Sequence, residues 1–205
     1  MYALVTDGTI TKYFNHPKGF TLGDLQYPKD IFMKWSVEEK EAIGIYEVVF
    51  DDSNKKDEKW YINTNQSFAF ANDTVTASYG SAFAKAHADT LWTQDEIDDG
   101  DAPEDTSPGD VKTRGLKYNL IQTVKQQAAG ILANTDWYIT RNAEKSTAIP
   151  SAITTHRDLV RSRQATMETQ ITNASNTPAL ETLYTYTTTD GIKSRPLGEL
   201  PTLEI

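Results

Sequence analysis

The chain has no cysteine and only three histidines, His16, His87 and His156, among its 205 residues. The first absence removes disulfides, thiolate zinc sites, iron–sulfur clusters and cysteine nucleophiles together. It says nothing of compartment. Long apolar runs are also missing, so no segment approaches the ~20 residues of a membrane-crossing helix. Met1-Tyr2-Ala3-Leu4-Val5 runs straight into Thr6-Asp7-Gly8 without a basic leader or an apolar stretch of signal-peptide length. A soluble, unexported chain is the expectation. Gly-x-x-x-x-Gly-Lys, Gly-x-Gly-x-x-Gly, His-Glu-x-x-His and Gly-x-Ser-x-Gly are all absent. Counted with Gly in place of Tyr, apolar residues are about 39%, below the usual ~45–50% and enough for small cores.

What is present is charge of one sign in one place. The net charge is −9. Asp95, Glu96, Asp98, Asp99, Asp101, Glu104, Asp105 and Asp110 form a strip without a single base, and the rest of the chain is close to neutral. A large phosphate-binding surface is therefore not expected, and neither nucleic acid nor membrane is an expected partner. Residues 100–109 hold two Pro and two Gly among these acids, and residues 95–110 read as an acidic linker. A calcium loop is the sharper alternative, but the EF-hand order of ligands is not there.

The texture before the linker is that of strands. Tyr2–Val5, Asp7-Gly8 and Thr9–Tyr13 read as a hairpin. Ile45–Phe50, Lys59–Ile62, Ser67–Phe70 and Thr74–Ala77 read as further strands, and one short helix fits within Pro28–Ala42, where Ser36 and Glu39 make a capping-box pair. After the linker the period becomes helical. Leu116, Leu120, Val124 and Ile131 or Leu132 predict a helix over Val111–Ala133, and Asn134-Thr135-Asp136 can start a new turn carrying Trp137 and Tyr138. Ile149-Pro150 makes a corner. Ile153, Val160, Met167, Ile171 and Ala174 mark the next stripe, with a short apolar element over Leu180–Tyr186. The fold class is α+β: a β-rich domain (1–94), the acidic linker (95–110), a helical hairpin-like module (111–186) and an extended C-terminal arm (187–205).

Chemistry-bearing constellations are thin. His87-Ala88-Asp89 and His156-Arg157-Asp158 lack a neighbouring nucleophile pattern, and convergence of the three histidines on a metal stays open. No catalytic, cofactor-binding or metal-ligating residue is assigned, and no cofactor is expected. Trp35, Trp60, Trp92 and Trp137 fit core packing better than ligand stacking. Arg141, Arg157, Arg161 and Arg163 are interleaved with Asp158 and Glu168, which fits a solvated helix better than a phosphate face. A short helical unit with a strong apolar stripe buries little alone and points to binding.

Asn134-Thr135-Asp136-Trp137-Tyr138-Ile139-Thr140-Arg141-Asn142-Ala143-Glu144, followed by Thr147-Ala148-Ile149-Pro150, resembles the C-terminal helical module of the tailed-phage tail assembly chaperone and tail fibre assembly family. That module shows a Thr-Asp-Trp step, an Arg a few residues on, an Ile-Pro corner and a helix with Tyr-Arg near its start. Here His156 stands where the family has that Tyr, ahead of Arg157. The resemblance covers Leu116–Tyr184 well and the N-terminal half loosely, through Tyr2–Tyr13. It implies phage tail biology and no enzyme. The reading it supports is a structural component of the virion tail (baseplate, tail-tip or fibre-attachment protein) that contacts other tail or fibre proteins and is a homo-oligomer in place. The host cytoplasm is its location during assembly. A non-structural assembly chaperone is the alternative, and a polysaccharide-cleaving enzyme using Glu47 with Asp51 or Asp52 is the remote one. Expected partner contacts are Trp137, Arg141, Ile149, Arg157, Leu197 and Leu200, although Trp137 and Ile149 fit the packing of the corner still better. The arm is expected to dock along a neighbour.

Overall fold

The computed structural model describes residues 1–203. The chain is mixed α+β, with an N-terminal sheet and C-terminal helices, and divides into two compact units, Met1–Phe83 and Ala84–Ile205.

The first unit contains β1 (Tyr2–Thr6), β2 (Thr9–Phe14), β3 (Phe20–Leu22), β4 (Leu25–Tyr27), α1 (Ile31–Lys34), α2 (Val37–Glu41), β5 (Ile45–Asp51), β6 (Tyr61–Ile62), β7 (Gln66–Ala71) and β8 (Thr74–Tyr79). Five of these strands form one sheet in the order β2-β1-β5-β8-β7. Two tight hairpins frame it. Asp7-Gly8 turns with φ of 50° and 73°, and Asn72-Asp73 turns with 50° and 56°, the left-handed pair that matches strand twist. Of the two remaining pairs, β1–β5 is antiparallel and β5–β8 is parallel, with Val48 opposite Val75. A register shift between Leu4 and Val5 bends β1, and the two edge strands meet through Tyr13 and Phe68, whose ring centroids are 4.7 Å apart.

Both faces of this sheet are packed, because alternate residues of β1 serve different cores. Leu4 joins Phe14, Phe20, Ile31, Phe32 and Ile45 on one side, under β3, β4 and α1. Ala3 and Val5 join Val48, Val75 and Ala77 on the other. The expected single helix within Pro28–Ala42 is two short ones, broken where Trp35 turns extended and Ser36 caps α2; the Ser36–Glu39 capping box is formed. Gly44 closes the loop before β5. Its φ is +79°, and a Cβ there would lie 2.3 Å from the Val5 carbonyl oxygen.

The second unit follows a short β9 (Phe83–Ala84) and holds β10 (Thr90–Leu91), α3 (Gln94–Asp98), β11 (Val111–Thr113), α4 (Leu116–Ala133), α5 (Asp136–Lys145), α6 (Ser151–Asn173), α7 (Thr177–Tyr184), β12 (Thr187–Thr189) and β13 (Ile192–Ser194). Its frame is an antiparallel pair, α4 and α6. Lys117 at the start of α4 donates to the Thr172 carbonyl near the end of α6, and Arg157 near the start of α6 donates to Leu132 at the end of α4. The stripe Ile153, Val160, Met167, Ile171 and Ala174 is buried, as are Leu120, Val124 and Ala128 opposite. The start of α4 has no side-chain cap. Its N–H groups go instead to the carbonyls of Ala86 and His87, while Gly115 N–H donates to Asp89 Oδ1 at 2.8 Å.

Three expectations are corrected. The boundary falls between Phe83 and Ala84, and residues 95–110 are the connection between the paired strands β10 and β11 inside the second unit, not a linker between units. A second capping box, Thr93 with Glu96, starts α3 and orders the beginning of this strip. Val111–Thr113 is strand, so the helix begins at Leu116. The C-terminal segment is not a free arm. Residues 187–194 pair with themselves as a hairpin, and the chain then returns to its own helices. Leu197 is fully buried and donates its N–H to Leu183, Arg163 donates to the Leu197 and Glu199 carbonyls, and Gln170 donates to Pro196. Residues 204–205 of the expected arm lie outside the described residues.

Candidate protein-contact site

The turn from α4 into α5 is built around one guanidinium. Arg157 is buried and its Nη1 lies 2.8 Å from the Leu132 carbonyl, 2.7 Å from Thr135 Oγ1 and 2.8 Å from Asp136 Oδ1. Thr135 holds the N-cap position of α5, yet its hydroxyl does not cap. It donates to the Leu132 carbonyl and accepts from Arg157, which fastens the turn to α6. The far end of α5 closes with Ser146 in the left-handed region and with Asn142 Nδ2 donating to Thr147.

Held at both ends, α5 buries none of its ten residues. Trp137 is 51% exposed and Ile139 41%, and Leu159 on α6 is 54% exposed. The Trp137 and Tyr138 ring centroids stand 4.1 Å apart. Arg141 lies over them, its guanidinium carbon 4.5 Å from the Trp137 centroid and 5.6 Å from that of Tyr138. Its Nε is buried with no acceptor, and among the described residues Arg141 pairs with no carboxylate. A helix this short is marginal in water by itself. An exposed Trp137 with the half-buried Tyr138 and Arg141 has the composition of an interface anchor.

Comparison with protein-family models, with curated proteins and with solved structures gives no match.

The six expected contact residues separate by position. Trp137 and Arg141 share one face of α5, and Trp137 is turned outward, against the expectation that it packs the corner. Ile149 is half-buried just before α6. Arg157 and Leu197 are spent inside the unit, so neither presents a surface to a neighbour. Leu200 is half-buried and lines a cleft of about 380 Å³ with Ile131, Met167 and Arg195. His156 is buried beside residues 201–203, which separate two clefts that it lines. Leu159 lies off the helical stripe and carried no sequence signal. Thr135 and Asp136 were legible as a helix start, but their pairing with Arg157, more than twenty residues away, was not.

The other tryptophans pack: Trp60 is buried, while Trp35 and Trp92 are half-buried. Among the carboxylates weighed for polysaccharide cleavage, Asp51 accepts from Ser53, whose hydroxyl and N–H hold its carboxyl below the usual range. A general acid needs the opposite shift.

Proposed function

We propose that the chain is a non-enzymatic structural component of a bacteriophage tail, a baseplate, tail-tip or fibre-attachment protein that works through protein contacts. The observation that carries this reading is the Trp137–Tyr138–Arg141 cluster, in which Trp137 is exposed and the other two are half-buried, on a helix with no fully buried residue, clamped at both ends by the residues of the Thr-Asp-Trp to Ile-Pro segment. That segment is the one that resembles the tail assembly chaperone and tail fibre assembly family. A β unit with both sheet faces packed supports a scaffolding role.

Quantitative mass spectrometry of purified particles tests the reading. A fixed small multiple of known tail proteins is the expected result. Presence in infected-cell lysate with absence from particles would replace it by the chaperone reading. Deleting Gly191–Ile205 is not a clean test of docking, because it removes Leu197 from the unit's own core.

A further inference from the structure

We infer that the Trp137–Arg141 face of α5 docks the acidic β10–β11 connection of a second copy of this chain, head to tail. The inference rests on the reading of the protein as a contact-making component and names the partner of that contact.

Two surfaces of the same unit are complementary and each is unfilled. One is cationic and apolar. Arg141 has its guanidinium on the Trp137 and Tyr138 rings with no carboxylate to meet it, and Lys145 follows one turn on, exposed. The other is anionic. Of the eight acids from Asp95 to Asp110, only Glu96 forms an ion pair among the described residues, with Lys112 at 2.6 Å. Asp99, Asp101, Glu104 and Asp105 are exposed, and their carboxylates have no hydrogen-bond or ion-pair partner among the described residues.

That loop is ordered without help from the carboxylates of Asp99, Asp101, Glu104 and Asp105; its side-chain supports include Glu96, which caps α3, and Asp110, which accepts from the Ser107 N–H. Asp101 N–H donates to the Glu96 carbonyl, Thr106 to Pro103 and Gly109 to Trp92, and Trp92 N–H donates to Asp110. The acids are therefore presented by a fixed backbone, which lowers the ordering cost of pairing with a cation. An arginine on an aromatic platform suits a carboxylate, since the ring covers a face of the guanidinium and leaves its N–H edge to the anion.

The net charge of −9 opposes self-association at long range. At ordinary ionic strength the screening length is about 8 Å, so the local contact governs. Because the two surfaces differ, each copy offers one of each. The contact is heterologous, and it builds a closed ring or an open row.

Sedimentation velocity of the full chain over a wide concentration range tests this, at roughly 0.05 M and roughly 0.5 M salt, where the screening length falls from about 14 to about 4 Å. Concentration-dependent association is expected at low salt and about tenfold or more weaker at high salt. Arg141→Gln should abolish it, and so should Asp99→Asn with Asp101→Asn, which alters only an exposed loop. Mixing the two variants should give a species of two chains that grows no further, since each retains one intact half. A monomer under every condition overturns the inference. So does a mixture that stays monomeric while both variants keep wild-type circular dichroism. Self-association of a chain missing from particles would remove the tail reading and keep the contact; the converse would remove the contact alone.

Discussion

Replacing Arg157 by Met should cost the helical unit about 2–3 kcal/mol, and the geometry says where that comes from. Three acceptors lose their donor. Asp136 is 61% exposed and returns to water, so its share is that of a surface pair, about 0–1 kcal/mol. The Leu132 carbonyl keeps the Thr135 N–H and hydroxyl, each at 3.0 Å, and is only partly stripped. Thr135 is 2% exposed, and its oxygen loses its one charged donor, which costs on the order of 1–3 kcal/mol. Arg157→Lys should recover only part, because a compact ammonium on a flexible stem lacks the fixed plane that aims Nη1 at these acceptors. Asp136→Asn should cost less than about 1 kcal/mol. Urea unfolding followed at 222 nm reads the long helices, which all belong to this unit. A Met variant within about 0.5 kcal/mol of wild type, or an Asn variant as costly as the Met variant, would refute the ranking of these three contacts.

Other perturbations test other parts of the frame. Gly44→Ala should destabilise the sheet unit by about 2–4 kcal/mol, from positive φ plus a clash with the Val5 carbonyl. Gly8→Ala, also at positive φ but with open space around it, should cost only about 1 kcal/mol; equal losses in near-ultraviolet dichroism melts would count against the clash. Leu197→Ala should cost about 2–4 kcal/mol and speed proteolysis from the C-terminal end, and wild-type resistance would mean that the strap is not packed. Asp89 has its carboxyl held below the ordinary range, first by the Gly115 N–H and then by Arg114. Its contribution is complete above the unfolded value of ~3.9 and is lost as pH falls through the lower folded one. The urea midpoint of wild type should therefore drop below about pH 4, and Asp89→Asn should start lower and fall less over that range. Parallel curves would show that Asp89 is not the group responsible.

Local features were the legible ones. Asp7-Gly8 announces its hairpin because few residue pairs accept two positive φ angles, and Ser36 with Glu39 announces a helix start. The stripe from Ile153 to Ala174 reads as a buried face because its spacing follows the helical period. Ala128 completes the opposite face but is too small to stand out in a pattern of large apolar residues. Thr93 and Glu96 carried the same capping signature as Ser36 and Glu39, and the surrounding acids masked it. The Pro- and Gly-rich end reads as extended from composition alone. Nothing nearby in sequence reveals that Arg163, more than thirty residues earlier, pins it down. The candidate site was legible at Trp137 and Arg141 and illegible at its foundation, since the contacts of Arg157 with Thr135 and Asp136 are made only once α4 and α6 lie side by side.

The meeting of Tyr13 with Phe68 restricts how this molecule can join others. A sheet with open borders can be lengthened by an incoming strand, in assembly or in misassembly. Here both borders of the five-stranded sheet are turned toward each other, and their aromatic side chains are in contact. A strand seeking the backbone of β2 or β7 must first prise those rings apart. Growth by strand addition is thereby disfavoured in the first unit, for correct and incorrect neighbours alike. Recruitment is left to side chains, whose identity can be selective in a way that a row of peptide groups cannot.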